Sequence, residues 1–258
     1  MKKTFDLNAV KDQLTFENVL TAALGMPGVR IDREEFLRKE LSGYCPNRVI
    51  REAIRYNPAR AGVLRSRIDQ ISKKVIETES LKVTAVSLAA SIPSSRAAPA
   101  VVGAVTADII WYFAHILRVI QKLAYLYGFP EFDISEEGID PETRDTIMVF
   151  LGVMFEVQGA SSALRKLADS FARHLARQMV ERVIAKKVIY PVVSRVAERI
   201  GIRIGKQLFA DSIASSIPFA GGFLSGGLTL ATFRPCCFRL RRVLMSYELS
   251  DPEYYSKK

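Results

Sequence analysis

Ser87-Leu-Ala-Ala-Ser-Ile-Pro93 recurs as Ser212-Ile-Ala-Ser-Ser-Ile-Pro218, with five of seven positions identical. Both copies lead into small, apolar residues. The second runs on through Gly221, Gly222, Gly226 and Gly227 to Phe233, so that 212–233 is uncharged throughout. A basic cluster, Arg234, Arg239, Arg241 and Arg242, closes it. Proline removes a backbone donor and breaks or starts a helix. Two apolar helical segments entered through the same Ser-Ile-Pro break therefore predict a core of two pseudo-repeated apolar helical hairpins. The small residues at 221–227 predict close helix–helix approach.

The rest of the chain reads as helix. Thr15 is placed to cap a run through Val19, Leu20, Ala23 and Leu24, stopped by Gly25 and Pro27. Asp32 and Glu35 form a capping-box pattern before Phe36, Leu37 and Leu41, with Gly43 beyond the end. Pro46 suits a first helical position for 46–56. Leu64, Ile68, Ile71 and Val75 trace one apolar face over 60–79. Between Ala97 and Leu117 only Asp108 and His115 are ionisable. That length matches the roughly 20 apolar residues a bilayer span needs, and equally a buried helix. An acidic loop follows Gly128-Phe-Pro130, and Asp140 or Pro141 opens the next helix. Residues 161–206 form a long basic helical region, eleven Lys and Arg against three acidic residues, which Pro191 must kink or split. No alternating strand pattern persists, so the fold class is all-α, a helical bundle.

Charge narrows the function classes. The formal net charge is +10, most of it from 161–206, which points to an acidic partner. No named DNA or RNA motif is present, and aromatics are not interleaved with the basic run, which argues against nucleic acid. Three cysteines give no disulfide framework and suit a reduced, cytosolic chain. Met1-Lys2-Lys3 starts like a signal peptide, but no apolar run follows, so export by that route is not expected.

Motifs for chemistry are sparse. The glycine pairs lack the Gly-Lys-Ser/Thr ending of a phosphate loop and no strand precedes them. There is no Gly-x-Ser-x-Gly. His115 and His174 have no Cys or His at zinc-ligand spacing, so no metal and no cofactor is assigned. Asp108 is the costliest residue of its segment; it can pair with His115 or Arg118, sit in a polar cavity at the centre of a bundle, or be a helix cap or a partly wet turn after Gly103. Cys236 and Cys237 lie among arginines that would lower thiol pKa values, or serve as structural thiols.

Several stretches together are similar to one family. Gln121-Lys-Leu-Ala-Tyr-Leu-Tyr-Gly128, the carboxylate-rich loop with Pro141-Glu142, the basic helix, Ile217-Pro-Phe-Ala-Gly-Gly222 and Gly226-Gly-Leu-Thr-Leu-Ala-Thr-Phe233 resemble the EcsC-like family of bacterial proteins. The resemblance covers 80–245, leaving 1–79 as an N-terminal helical part and 246–258 as a flexible tail. It implies a membrane-associated helical protein and supplies no catalytic residues. The resulting expectation is a non-catalytic protein at the cytoplasmic face of a membrane, binding anionic lipid or a membrane protein. Arg203, Lys206, Arg234, Arg239, Arg241 and Arg242 would meet headgroups. Pro93, Pro218 and the four glycines would pack or insert. Two rivals stand beside it: an effector that releases apolar helices into membranes, and an enzyme with a pocket around Asp108, Trp111, Tyr112 and His115. Oligomerisation is left open.

Overall fold

The computed structural model describes residues 16–90, 98–135, 138–177, 189–201 and 221–256. Within these, the side chains of 85–90, 98–108, 135, 138, 177 and 221–231 are not described. The repeat segments around Pro93 and Pro218, together with Thr15, Arg203 and Lys206, lie outside the described residues.

The chain is all-α. Three short helices, α1 (Phe16–Leu24), α2 (Arg33–Leu41) and α3 (Asn47–Arg55), precede two long ones, α4 (Arg65–Ala90) and α5 (Ala98–Leu126). After α5 come α6 (Pro141–Met154), α7 (Ala160–Arg177), helical residues 189–201 (α8) and α9 (Gly221–Met245). A 3-10 turn, Glu248–Ser250, and α10 (Pro252–Ser256) end the described chain. The extended structure among the described residues is a two-residue antiparallel pairing, Ile134 with Ile139 and Ser135 with Gly138, inside the acidic loop.

Local chemistry sets most helix starts. The Asp32 carboxylate accepts from the Glu35 amide at 2.7 Å, and Asp140 accepts from the amides of Glu142 and Thr143, with Pro141 as first helical residue. Pro46 is the residue before α3 rather than its first turn. α4 differs more from expectation. It starts at Arg65, leaves Leu64 68% exposed and continues to Ala90, straight through positions 79 and 80. Its apolar face is Ile68, Ile71, Val75, Ile76 and Val83, all buried.

α4, α5 and α9 make the centre. Glu77 faces Arg234, Asp69 faces Arg241, and Arg65 reaches the Met245 carbonyl, so α9 runs antiparallel to α4. Ser72 meets Tyr127 and Glu79 meets His115, so α5 is also antiparallel to α4. α5 and α9 are therefore parallel, with Tyr112 against Phe233. Each Ser-Ile-Pro copy precedes one of these two parallel helices. Pro235 lies inside α9, where it removes one ladder donor without ending the helix.

The other elements wrap this centre. α1 and α2 pack on α5, and α6 and α7 pack on each other beside α5 and α9. Phe150 of α6 meets Phe129 edge-on at 5.0 Å, and Phe171 of α7 meets the same ring at 5.8 Å. Large side chains such as Tyr125, Phe129, Phe150 and Phe233 are fully buried, each contributing about 1.5–3 kcal/mol. Gly152 lets α6 approach its neighbours, since a Cβ there would come within 2.8 Å of both Ala160 and Val196.

The tail is not loose. Asn57 donates to the Leu249 carbonyl at 3.2 Å and to the Tyr255 hydroxyl at 3.1 Å, and Tyr247 and Leu249 are buried. Burial pushes the Tyr255 phenol up to about 12. Of the tail expected to be flexible, 246–256 are described and docked, because their partner Asn57 sits in a distant turn of the chain; 257 and 258 lie outside the described residues.

Candidate functional site

The most heavily charged buried point of the described molecule is Glu79. On α4 it extends the stripe Ile68, Ser72, Val75 by four residues, so the helix period carries it into the core. Its side chain is fully buried. An isolated carboxylate there would be prohibitive, and four basic side chains answer it. Lys122 donates to Oε1 at 2.6 Å and Lys82 to the same atom at 3.2 Å. His115 Nδ1 lies 2.8 Å and Arg118 Nε 3.3 Å from Oε2. His115, Arg118 and Lys122 are three and four apart, one face of α5, and Lys82 lies one turn along α4 from Glu79.

Burial by itself would raise the Glu79 carboxyl. The His115 hydrogen bond and the charges of Lys122 and Arg118 outweigh it and hold the group well below the usual carboxylate range. As an acceptor-only anion, Glu79 fixes the His115 proton on Nδ1. For Lys122 the balance falls the other way. Burial lowers it, Glu79 raises it, and the charges of Arg118 and Lys82 add to the fall, leaving the ammonium below its ordinary range. The two directions agree physically. One carboxylate serves three permanent cations, so the anion is over-stabilised and the cations repel one another.

Exposure grades across the cluster. Glu79 is sealed, Lys122 and Arg118 are 14% and 21% exposed, and Lys82 is 48% exposed. Trp111 stacks on His115 at 5.5 Å and is itself 40% exposed. His115 Nε2 is buried without a partner among the described residues. Leu81, 70% exposed, lies next to Lys82 in the chain.

Asp108, singled out in the sequence, lies inside α5, as does Gly103, so it is neither a cap nor a turn residue. His115 and Arg118, its expected partners, both engage Glu79 instead. Tyr112 turns to Phe233 and Thr232 of α9. Of the four residues of that expected pocket, Trp111 and His115 stack on each other, Tyr112 turns to α9, and the Asp108 side chain lies outside those described.

The basic cluster of α9 is largely spent inside the molecule. Arg234 makes a two-pronged pair with Glu77. Arg239 donates to the Met154 carbonyl at 2.5 Å and pairs with Glu156 at 2.9 Å, closing the C-terminus of α6. Arg241 donates to Ser72 and pairs with Asp69. Arg242 is exposed. Gly221, Gly222, Gly226 and Gly227 occupy the first turns of α9. Cys236 and Cys237 are buried, and burial pushes the Cys237 thiol well up, against the lowering expected from neighbouring arginines.

Among the described residues no group of three or more His, Cys, Asp and Glu side chains is placed to hold a metal, and no helix is long and apolar enough to cross a membrane. A groove of about 480 Å³ opens near the tail, lined by Arg60, Glu253, Tyr255 and Ser256. Its Arg60 already donates to the Leu175 carbonyl and stacks on Tyr56.

No family model, curated protein or solved structure matches this chain. The likeness to the EcsC-like family therefore rests on the quoted motifs alone. Nothing local in the sequence separates Glu79 from Glu77, two residues before it on the same helix. The available signal was a glutamate in register with an apolar stripe.

Proposed function

We propose that this is a non-catalytic, membrane-associated protein whose α4–α5–α9 end dips into one leaflet of an anionic membrane. The observation that carries the reading is a change of character along three helices at one level. Beyond Lys82, α4 is uncharged from Val83 to Ala90. α9 is uncharged from Gly221 to Phe233, and α5 holds only Asp108 between Ala98 and Trp111. By the register of the helices, these stretches lie at the same end. At 1.5 Å per residue, the part beyond Lys82 extends roughly 12–20 Å, near half the ~30 Å hydrocarbon thickness. That length suits insertion into one leaflet, and it is consistent with the lack of a spanning helix among the described residues.

The border of this end has the composition of a membrane interface. Lys82, Arg118 and Lys122 form a cationic belt, and the exposed Trp111 and Leu81 sit beside it. The resemblance to the EcsC-like family points the same way. Of the arginines first expected to meet headgroups, Arg239 and Arg241 are held by Glu156 and Asp69, while Arg242 and the half-exposed Arg234 stay open to headgroups beside this belt.

Flotation tests the proposal. The full chain is expected to float with phosphatidylglycerol-containing vesicles and not with phosphatidylcholine alone, and Trp111 emission should shift to the blue on binding. Retention at high salt indicates an inserted end; release by salt indicates attachment by the belt alone. A protein that stays with the soluble fraction at every composition, its Trp111 emission unchanged, would overturn the reading.

A further inference from the structure

The cluster around Glu79 carries more positive charge than its own carboxylate can neutralise. Three permanent cations, Lys82, Arg118 and Lys122, converge on one anion, which leaves two positive charges in excess. Their donors are not exhausted either. Glu79 takes one N–H from each lysine and only the Nε of Arg118. Arg118 Nη1 reaches instead toward the turn at Gly28, where a Cβ would meet it at 3.3 Å. That turn is held on α5 by Gln121, which accepts from the Ile31 amide and donates to the Val29 carbonyl. Beside this fixed loop the cluster grades from the sealed Glu79 through Lys122 and Arg118 to the half-exposed Lys82, so its cations reach solvent on one side.

We infer that Lys82, Arg118 and Lys122 form a binding site for a phosphate group, with Glu79 as the internal anion that holds the three cations together before the ligand arrives. The chemistry is charge-assisted hydrogen bonding, in which Arg118 offers the planar fork and the lysines act as point charges. A phosphate would neutralise the excess; the Lys122 ammonium, weakened first by burial and then by Arg118 and Lys82, would gain a second anion. Glu79 is preorganisation rather than competition, because it occupies the buried side of the cations while the ligand takes the open side. The source of the phosphate rests on the membrane reading: at the border of the uncharged end, the group at this level is a lipid headgroup phosphate.

Trp111 is the chain's one tryptophan and stacks on His115, which touches the same carboxylate. It is a built-in reporter. The full chain would be titrated at constant ionic strength with inorganic phosphate, with glycerol phosphate, and with phosphatidylcholine vesicles containing phosphatidic acid, with chloride as control. A saturable Trp111 response to the phosphates and not to chloride is expected, with affinity about tenfold weaker in Lys82→Gln, where one charge-assisted contact is lost. Arg118→Lys keeps the charge and loses the fork, so it should weaken phosphate binding as well. Arg48→Gln, at an exposed position of α3 paired with Glu52, should leave it unchanged. Circular dichroism of each variant separates lost binding from lost fold, and Lys82, being half exposed, is the variant least exposed to that confusion.

A response to free phosphate without flotation upholds the site and overturns the membrane reading. Flotation that is the same in wild type and Lys82→Gln, with no saturable response to free phosphate, overturns the site and leaves the membrane reading standing. The absence of any saturable response in all three titrations also overturns the site.

Discussion

Arg33 is a buried cation wrapped in carbonyl oxygens, whereas Glu79 is a buried anion wrapped in cations. Arg33 donates through Nη1 to Ile54 at 2.6 Å, through Nη2 to Ala53 and Tyr56, and through Nε to Phe129 at 3.3 Å. Three of those carbonyls end α3, where helical C=O groups lack partners and the helix dipole favours a positive charge. Burial lowers the Arg33 guanidinium from its ordinary value, with Tyr125 and Glu131 opposing. It nevertheless stays charged, and carbonyls take four of its five N–H donors. At Glu79 the hydrogen bonds are filled but the charges are not balanced: one carboxylate faces Lys82, Arg118 and Lys122 as well as His115. The difference teaches how to separate structure from function among buried charges. A closed knot such as Arg33, its charge shared among carbonyls, fastens α2, α3 and the turn after α5. An oversupplied and partly open one such as Glu79 has capacity left for a ligand.

The sharpest way to break this contrast is Glu79→Gln. Removing the anion leaves several half-buried cations facing a neutral amide, and a loss of about 3–5 kcal/mol in unfolding free energy is expected by denaturant titration. A loss below about 1 kcal/mol would show that Glu79 does not organise the cluster. Arg33→Met comes next, at about 3 kcal/mol, because carbonyls at the end of α3 lose their partner inside the protein. The loss should come without any change in Trp111 emission, since the knot and the reporter are separate.

Gly128→Ala attacks the same knot from its other side. Gly128 has φ +97°, and a Cβ there would come within 2.8 Å of the Asn57 amide and 3.0 Å of the Leu249 carbonyl. Strain and clash together are expected to cost more than about 1 kcal/mol, and to loosen both the Phe129 carbonyl and the docked tail. Increased proteolysis after 246 would report it. Lys82→Gln has the smallest expected effect on stability, within about 0.5 kcal/mol, because the lost pair is half exposed and repulsion with Lys122 is relieved.

pH sharpens the comparison further. The Glu79 carboxyl is depressed in the folded protein, so its contribution is complete above the unfolded value of about 4.3. The contribution is lost as pH falls below that value toward the folded pKa. The stability gap between wild type and Glu79→Gln should therefore narrow on acidification. The gap between wild type and Arg33→Met should not follow that course, because a guanidinium does not titrate there. Equal narrowing in both would remove the distinction between the two sites.

The sequence alone determined the helical class and many of the helix ends. Those features depend on neighbours in the chain: Asp32 capping Glu35, Asp140 before Pro141, the absence of alternating patterns. It also marked the uncharged stretches and the repeat that precedes both α5 and α9. What only the tertiary structure decided was where charges are spent. Arg234, Arg239 and Arg241 read as a surface cluster until α4 and α6 supplied Glu77, Asp69, Glu156 and the Met154 carbonyl. The tail read as loose until Asn57, some 190 residues away, took hold of Leu249. Glu79 became a site only when antiparallel packing brought His115, Arg118 and Lys122 across from α5. Helix propensity and capping act over three or four residues, so a single sequence exposes them. Neutralising a buried charge depends on which distant side chain arrives within 3 Å, and that is known only once the helices have packed.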